Sequence, residues 1–220
     1  VDSSGIHNDV ALGATNGSVL PFFDLPEIEK QLRSALHTKP RRITFSGGVH
    51  GDLNAAAYFV SRGCFEPELT ARQSLESLLT PICGEGVSER LWMGLEHAAT
   101  AGKSIAAGGA LFGTPSKDFV KAHFEKAPVG CAEIGRIKSL YGDAMNEMYR
   151  GNTRARGGAR PFILYHAKRF EFAMHWTSAI ESLCKAAEAA SRKEADARAE
   201  ALDSALEAFY NALNLSLIHI

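Results

Sequence analysis

The richest run of chemistry-bearing side chains is Ser46-Gly47-Gly48-Val49-His50-Gly51-Asp52-Leu53-Asn54, where an imidazole, a carboxylate and an amide follow one another at alternate positions. Such a trio can hold a polar substrate by hydrogen bonds, and a loop that leaves the C-terminal end of a parallel strand is where α/β proteins hold their ligands. His50, Asp52 and Asn54 are therefore the candidate substrate-binding residues. Their structural alternative is that Asp52 or Asn54 caps the next helix while the glycines make the turn. No residue of the chain is assigned a catalytic role.

Other patterns weaken when their spacing is checked. A strand ending in Asp-x-His, with both side chains on metal, opens the metal site of metallophosphoesterases, but here the aspartate position is Gly48 and no Gly-Asn-His motif follows. A site without that charged ligand is a poor metal site, so no metal and no cofactor are expected. Gly102-Lys103-Ser104 matches the end of a phosphate-binding loop, yet its first glycine would fall at His97 and a helical pattern precedes it. Glu85, between Gly84 and Gly86, and the pair Asp143 and Glu147 have the right type for acid/base work. Solvated helix faces use the same residues, and a structural role is the expectation. His166 and His175 have no ligand partner at i+4 and are expected to pack or to face solvent. Phe172 and Trp176 could stack on a sugar, but burial is the simpler account. Cys64, Cys83, Cys131 and Cys184 form no CxxC or Cys/His cluster, so free buried thiols are favoured and a disulfide stays open.

The elements that position these residues divide near Gly63. Val19 to Phe23 reads as a short strand, and Asp24 with Pro26 starts a helix striped by Ile28, Leu32, Ala35 and Leu36 that Pro40 closes. Arg41 to Ser46 is a second strand, and Leu53 to Arg62 a short helix with Ala56, Ala57, Phe59 and Val60 inward. Strand, helix and strand make a βαβ unit and predict parallel pairing. Beyond Gly63 the pattern is helical over Leu69–Leu79, Ser88–Ala101, Ser116–Lys126 and Ala132–Tyr149. Pro161 then opens a long helix carrying Tyr165, Phe172, Trp176, Ile180 and Leu183. In a last helix Ala199, Leu202, Leu206, Phe209 and Leu213 repeat with a bundle period, and Ser191-Arg192-Lys193 turns the two into an antiparallel pair.

Composition bounds the function classes. The 220 residues are 45% hydrophobic with a net charge of −1, as in an ordinary globular chain. No basic stripe suits a phosphate backbone, and no apolar run approaches membrane-spanning length, so neither nucleic acid nor membrane is an expected partner and the piece is expected to be soluble. Oligomeric state and compartment are left open. The start at Val1 reads as a truncation. Leu215-Ser216-Leu217-Ile218-His219-Ile220 matches the translation of a transposon end used in sequencing libraries, so 215–220 is expected to be adapter sequence. The expected organisation is the C-terminal part of an α/β domain over 1–62 and a helical domain over 63–214.

Leu20 to Ile28, the strand and loop Ile43 to Asn54, Asn54 to Arg62, and Phe65-Glu66-Pro67-Glu68-Leu69-Thr70 follow one another in an order that resembles the end of the catalytic barrel of bacterial glycoside-hydrolase-like proteins. That group is similar in style to alpha-glucuronidases and beta-N-acetylhexosaminidases. The resemblance covers about a quarter of the chain. It implies an α/β fold followed by a mainly α part, the closing βα units of a (β/α)8 TIM-type barrel and then a helical domain. It also implies a parent that hydrolyses a carbohydrate substrate with paired carboxylates upstream of Val1, leaving this fragment one wall of the cleft and no activity alone. The alternative expectation is a non-enzymatic helical interaction or scaffolding module, which exposed aromatic rows on the last two helices would favour.

Overall fold

The computed structural model describes residues 7–11, 20–21, 23–40, 42–46, 54–108, 116–124 and 131–219, with the side chains of 7–11, 46, 108, 123 and 216–219 excepted. Strand β1 (His7–Ala11) and strand β2 (Arg42–Ser46) pair in parallel, with Asp9 opposite Thr44. Helix α1 (Leu25–His37) lies between them in the chain and supplies the length that a parallel connection needs. The Asp24 carboxylate accepts the Glu27 N–H at 3.1 Å and so caps α1, while Leu25, Ile28, Leu32 and Ala35 form its buried row. Helix α2 (Asn54–Gly63) buries Ala55, Ala56, Phe59 and Val60, and Ala57 is exposed on its other side.

The remaining elements are α3 (Ala71–Cys83), α4 (Val87–Gly108), α5 (Lys117–Phe124), α6 (Cys131–Arg154), a 3-10 turn (Gly157–Ala159), α7 (Arg160–Arg192) and α8 (Ala195–His219). Thr70 and Gln73 open α3 with a reciprocal capping box. Arg160 and Pro161 begin α7, where a missing N–H costs no helix bond.

The architecture overturns the expected fold class. The protein is mainly α, and among the described residues two five-residue strands pair only with each other, so there is no barrel and there are no closing βα units of one. The chain around Val19 to Phe23 is where the strand expectation failed. Described residues Leu20, Pro21 and Phe23 are buried without strand structure, and Phe23 meets His166 and Phe170 of α7 edge to face. Proline has no N–H for a sheet ladder; the Pro21 carbonyl instead accepts the buried Tyr141 hydroxyl of α6 at 3.1 Å. An apolar run of this kind satisfies a helical core as well as a sheet, and here the helices take it.

Helices α4, α6, α7 and α8 pack as successive neighbours, α4 on α6, α6 on α7 and α7 on α8. Ile134, Ile137, Tyr141 and Met148 of α6 and Ile163, Phe170 and Ile180 of α7 are wholly buried in a core that runs from Leu20 to Ala212. At Gly94 the α4 backbone comes close to α6: a Cβ there would lie 2.6 Å from Met148 Cε and 3.1 Å from the Ala144 carbonyl. Cys131 and Cys184 form a disulfide that ties the start of α6 to α7, which corrects the expectation of free thiols there; Cys64 and Cys83 are free. The turn into α8 forms at Lys193, in the left-handed region with φ 59°. Trp176 and Phe209, almost equidistant from that turn, meet edge to face at 5.4 Å, so α7 and α8 are antiparallel.

Candidate functional site

Of the three expected substrate-binding residues, His50 and Asp52 lie outside the described residues, and Asn54 is exposed as the first residue of α2. The other chemistry-bearing residues are packed, paired or exposed without a neighbouring functional group. Glu147 is buried on α6 between Arg90, at 3.0 Å, and Arg150, at 2.6 Å. Burial pushes its carboxyl up, but the two guanidinium hydrogen bonds outweigh that and hold it below its ordinary value. A carboxylate kept ionised between two fixed cations is a structural tie from α4 to α6, not a proton donor at neutral pH. Asp143 is exposed, and Glu85 sits in a turn whose flanking Gly84 and Gly86 adopt φ of 96° and 74°. His166 is buried among Phe23, Phe162 and Tyr165. Phe172 is buried and Trp176 half-buried against it and Phe209, so this aromatic pair is wall, not platform. Lys103 pairs with the buried Asp24 at 3.0 Å, inside a helix.

Among the described residues, Phe65 and Ile82 are large apolar side chains exposed singly, and the one exposed apolar row that packing does not account for is on α8. Its sequence carries two apolar rows of the same spacing, one residue out of step: Ala201, Ala205, Ala208 and Ala212, and Leu202, Leu206, Phe209 and Leu213. A bundle period cannot tell which row faces inward. The structure turns the alanines toward α7, with Ala205, Ala208 and Ala212 buried, and brings Phe209 halfway in against Trp176. The leucine row, expected to be the packed one, faces out. Leu202 is 41% exposed, Leu206 54%, Tyr210 58% and Leu213 51%.

Small residues at a helix contact let two backbones approach closely, and buried alanines at 186, 187 and 189 near the end of α7 fit the same arrangement. At about 100° per residue, the four exposed side chains share an arc of roughly 80°. Burying a leucine side chain is worth about 1.5–3 kcal/mol, so a row of this kind left in water forgoes several kcal/mol that a covering surface would recover. Along one edge of the row run Asp196, Glu200, Asp203 and Glu207, all exposed. Every residue of this surface precedes Leu215.

Where the α7–α8 turn closes, Lys185, Glu188, Arg192, Glu200 and Ser204 line a shallow groove of ≈ 400 Å³. Among the described residues no three His, Cys, Asp or Glu side chains gather to hold a metal ion, and no helix is long and apolar enough to cross a membrane. No known protein family, curated protein or solved structure matches this chain.

Proposed function

We propose that this chain is a helical protein-interaction module whose docking surface is the outward face of α8. The aromatic rows of α7 and α8 that were expected to mark such a module are packed apart from Tyr210. The observation that supports this reading is instead the mainly aliphatic row Leu202, Leu206, Tyr210 and Leu213, exposed on a helix whose other apolar row already packs on α7. Among the described residues α7 covers one apolar face of α8 and leaves the other exposed, as on a helix that joins two bodies. A partner helix laid along the row would reach anchors at three- and four-residue steps, the spacing by which helices are recognised in grooves. The carbohydrate-hydrolase expectation rested on a barrel that the fold lacks, with His50 and Asp52 outside the described residues, and no observation favours it over this reading.

A photo-crosslinking amino acid at Tyr210, compared with one at the neighbouring exposed Asn211, tests the proposal in cells that make the protein. The expected product is a discrete adduct with a second polypeptide chain from position 210 and not from 211. Crosslinks confined to this same molecule would mean that the row is covered from within, and the docking function would fall.

A further inference from the structure

Resting on that reading, we infer that the occupant of the α8 face is a basic amphipathic helix of another protein. The charge pattern beside the leucine row carries the argument. Asp196, Glu200, Asp203 and Glu207 recur at four-, three- and four-residue steps and make a carboxylate edge parallel to the apolar row. None of the four has an ion-pair partner among the described residues, although Glu200 shares the α7–α8 groove with Lys185 and Arg192, so Asp196, Asp203 and Glu207 are the ones left without a nearby cation of this kind. Some carboxylates elsewhere pair with a cation a turn away, as Glu29 does with Arg33, Glu171 with Lys168 and Glu188 with Arg192, while Glu76, Glu96, Asp118 and Asp143 stand singly without such a pair among the described residues. What sets α8 apart is the alignment of four such carboxylates along one edge of an exposed apolar row. Helix α8 has Arg198 as its single Lys or Arg, and the helical wheel places it on the other flank of the leucines.

Asp196 in the first turn is favoured by the helix dipole, but Glu200, Asp203 and Glu207 lie beyond its reach. The pairs Asp196/Glu200 and Asp203/Glu207 are like charges at i,i+4, which repel within the helix. A partner that places lysines or arginines opposite them removes the repulsion and gains ion pairs at the rim of an apolar contact.

The same pattern disfavours the other occupants. A second copy of α8 laid antiparallel sets carboxylate edge against carboxylate edge, and one laid parallel offers that edge only the single Arg198 of the other flank. Helices that lie on membranes carry lysine and arginine on their polar face, the reverse of this edge, and a row of carboxylates repels nucleic-acid phosphates.

The test uses the full chain and three labelled synthetic peptides of three heptads. One has leucine at the seam and lysine at the flanking positions, one replaces those lysines by glutamate, and one scrambles the lysine peptide. By fluorescence anisotropy the ordered lysine peptide is expected to bind about tenfold tighter than either other peptide, from several rim ion pairs acting together. Charge reversal by Asp203→Lys with Glu207→Lys, at exposed positions, is expected to invert the preference between the lysine and glutamate peptides, and Leu206→Asp to abolish binding of both.

Equal binding of the lysine and glutamate peptides, or of the ordered and scrambled lysine peptides, would overturn the inference. So would a dimer in sedimentation that Leu206→Asp dissociates, because the occupant would then be a second copy. An intermolecular adduct from position 210 without the lysine preference would leave the docking surface standing and remove the basic helix. Loss of both the adduct and the peptide binding would remove the module itself.

Discussion

Glu147 shows what a buried charge does in this protein. Its carboxylate accepts from Arg90 of α4 and Arg150 of its own helix, and its pKa lies below the ordinary 4.5 because those hydrogen bonds outweigh the desolvation that opposes them. Glu181 of α7 is held below 4.5 as well, by Lys138 first and Lys185 after it, against burial. A carboxyl whose folded pKa is depressed stabilises the fold above its unfolded pKa and loses that contribution as the pH falls through the folded value. Denaturant unfolding is therefore expected to show stability level near neutrality and declining below about pH 4.5, and Glu147→Gln is expected to flatten part of that decline. At pH 7 the same substitution is expected to cost about 1–3 kcal/mol, since it removes the charge and leaves one of the two guanidinium groups facing an NH2 donor in place of an acceptor. The residue type and its structural role were legible in the sequence. Its partners were not, because Arg90 is supplied by another helix across the bundle.

At the scale of elements, the signals written into short stretches held and the signals that depend on a distant partner did not. The Asp24 cap, the start of α7 at Pro161 and the turn at Lys193 are local, since each needs only a few neighbouring residues. Strand β1 was missed because His7-Asn8-Asp9-Val10-Ala11 has a single β-branched residue, and its conformation comes from pairing with β2. The Cys131–Cys184 link spans 53 residues, and no spacing rule joins cysteines so far apart.

Reduction of that disulfide is expected to lower stability by about 2–4 kcal/mol, from a closed loop of this length, read as a fall in the denaturation midpoint with dithiothreitol. Gly94→Val is expected to cost about 1–3 kcal/mol by forcing α4 off Met148 and the Ala144 carbonyl, read as a lowered melting temperature with helical content retained.

For the molecule as a whole, the sequence misled on class where it was most suggestive. A strand, helix, strand order is present, as β1, α1 and β2, but among the described residues it makes a two-stranded sheet on a mainly helical protein. One βαβ unit does not specify how many follow, and the resemblance to a barrel end extended it beyond what its residues carry. The candidate site was half legible. Leu202, Leu206 and Leu213 stood out as an apolar row, yet the alanine row beside them has the same period, and only the shape of α7 decides between the two.

The claim that everything functional rests on is that α8 turns its alanines in and its leucines out. In a background of Cys64→Ser and Cys83→Ala, with the disulfide intact, single cysteines at Leu206, Tyr210, Ala205 and Ala212 can be timed for labelling by a maleimide. The account predicts rapid labelling of Leu206→Cys and Tyr210→Cys, with Ala205→Cys and Ala212→Cys protected until the protein unfolds. Protection at 206 and 210 with fast labelling at 205 and 212 would contradict it, since the leucine row would then be core and α8 would offer no second apolar face.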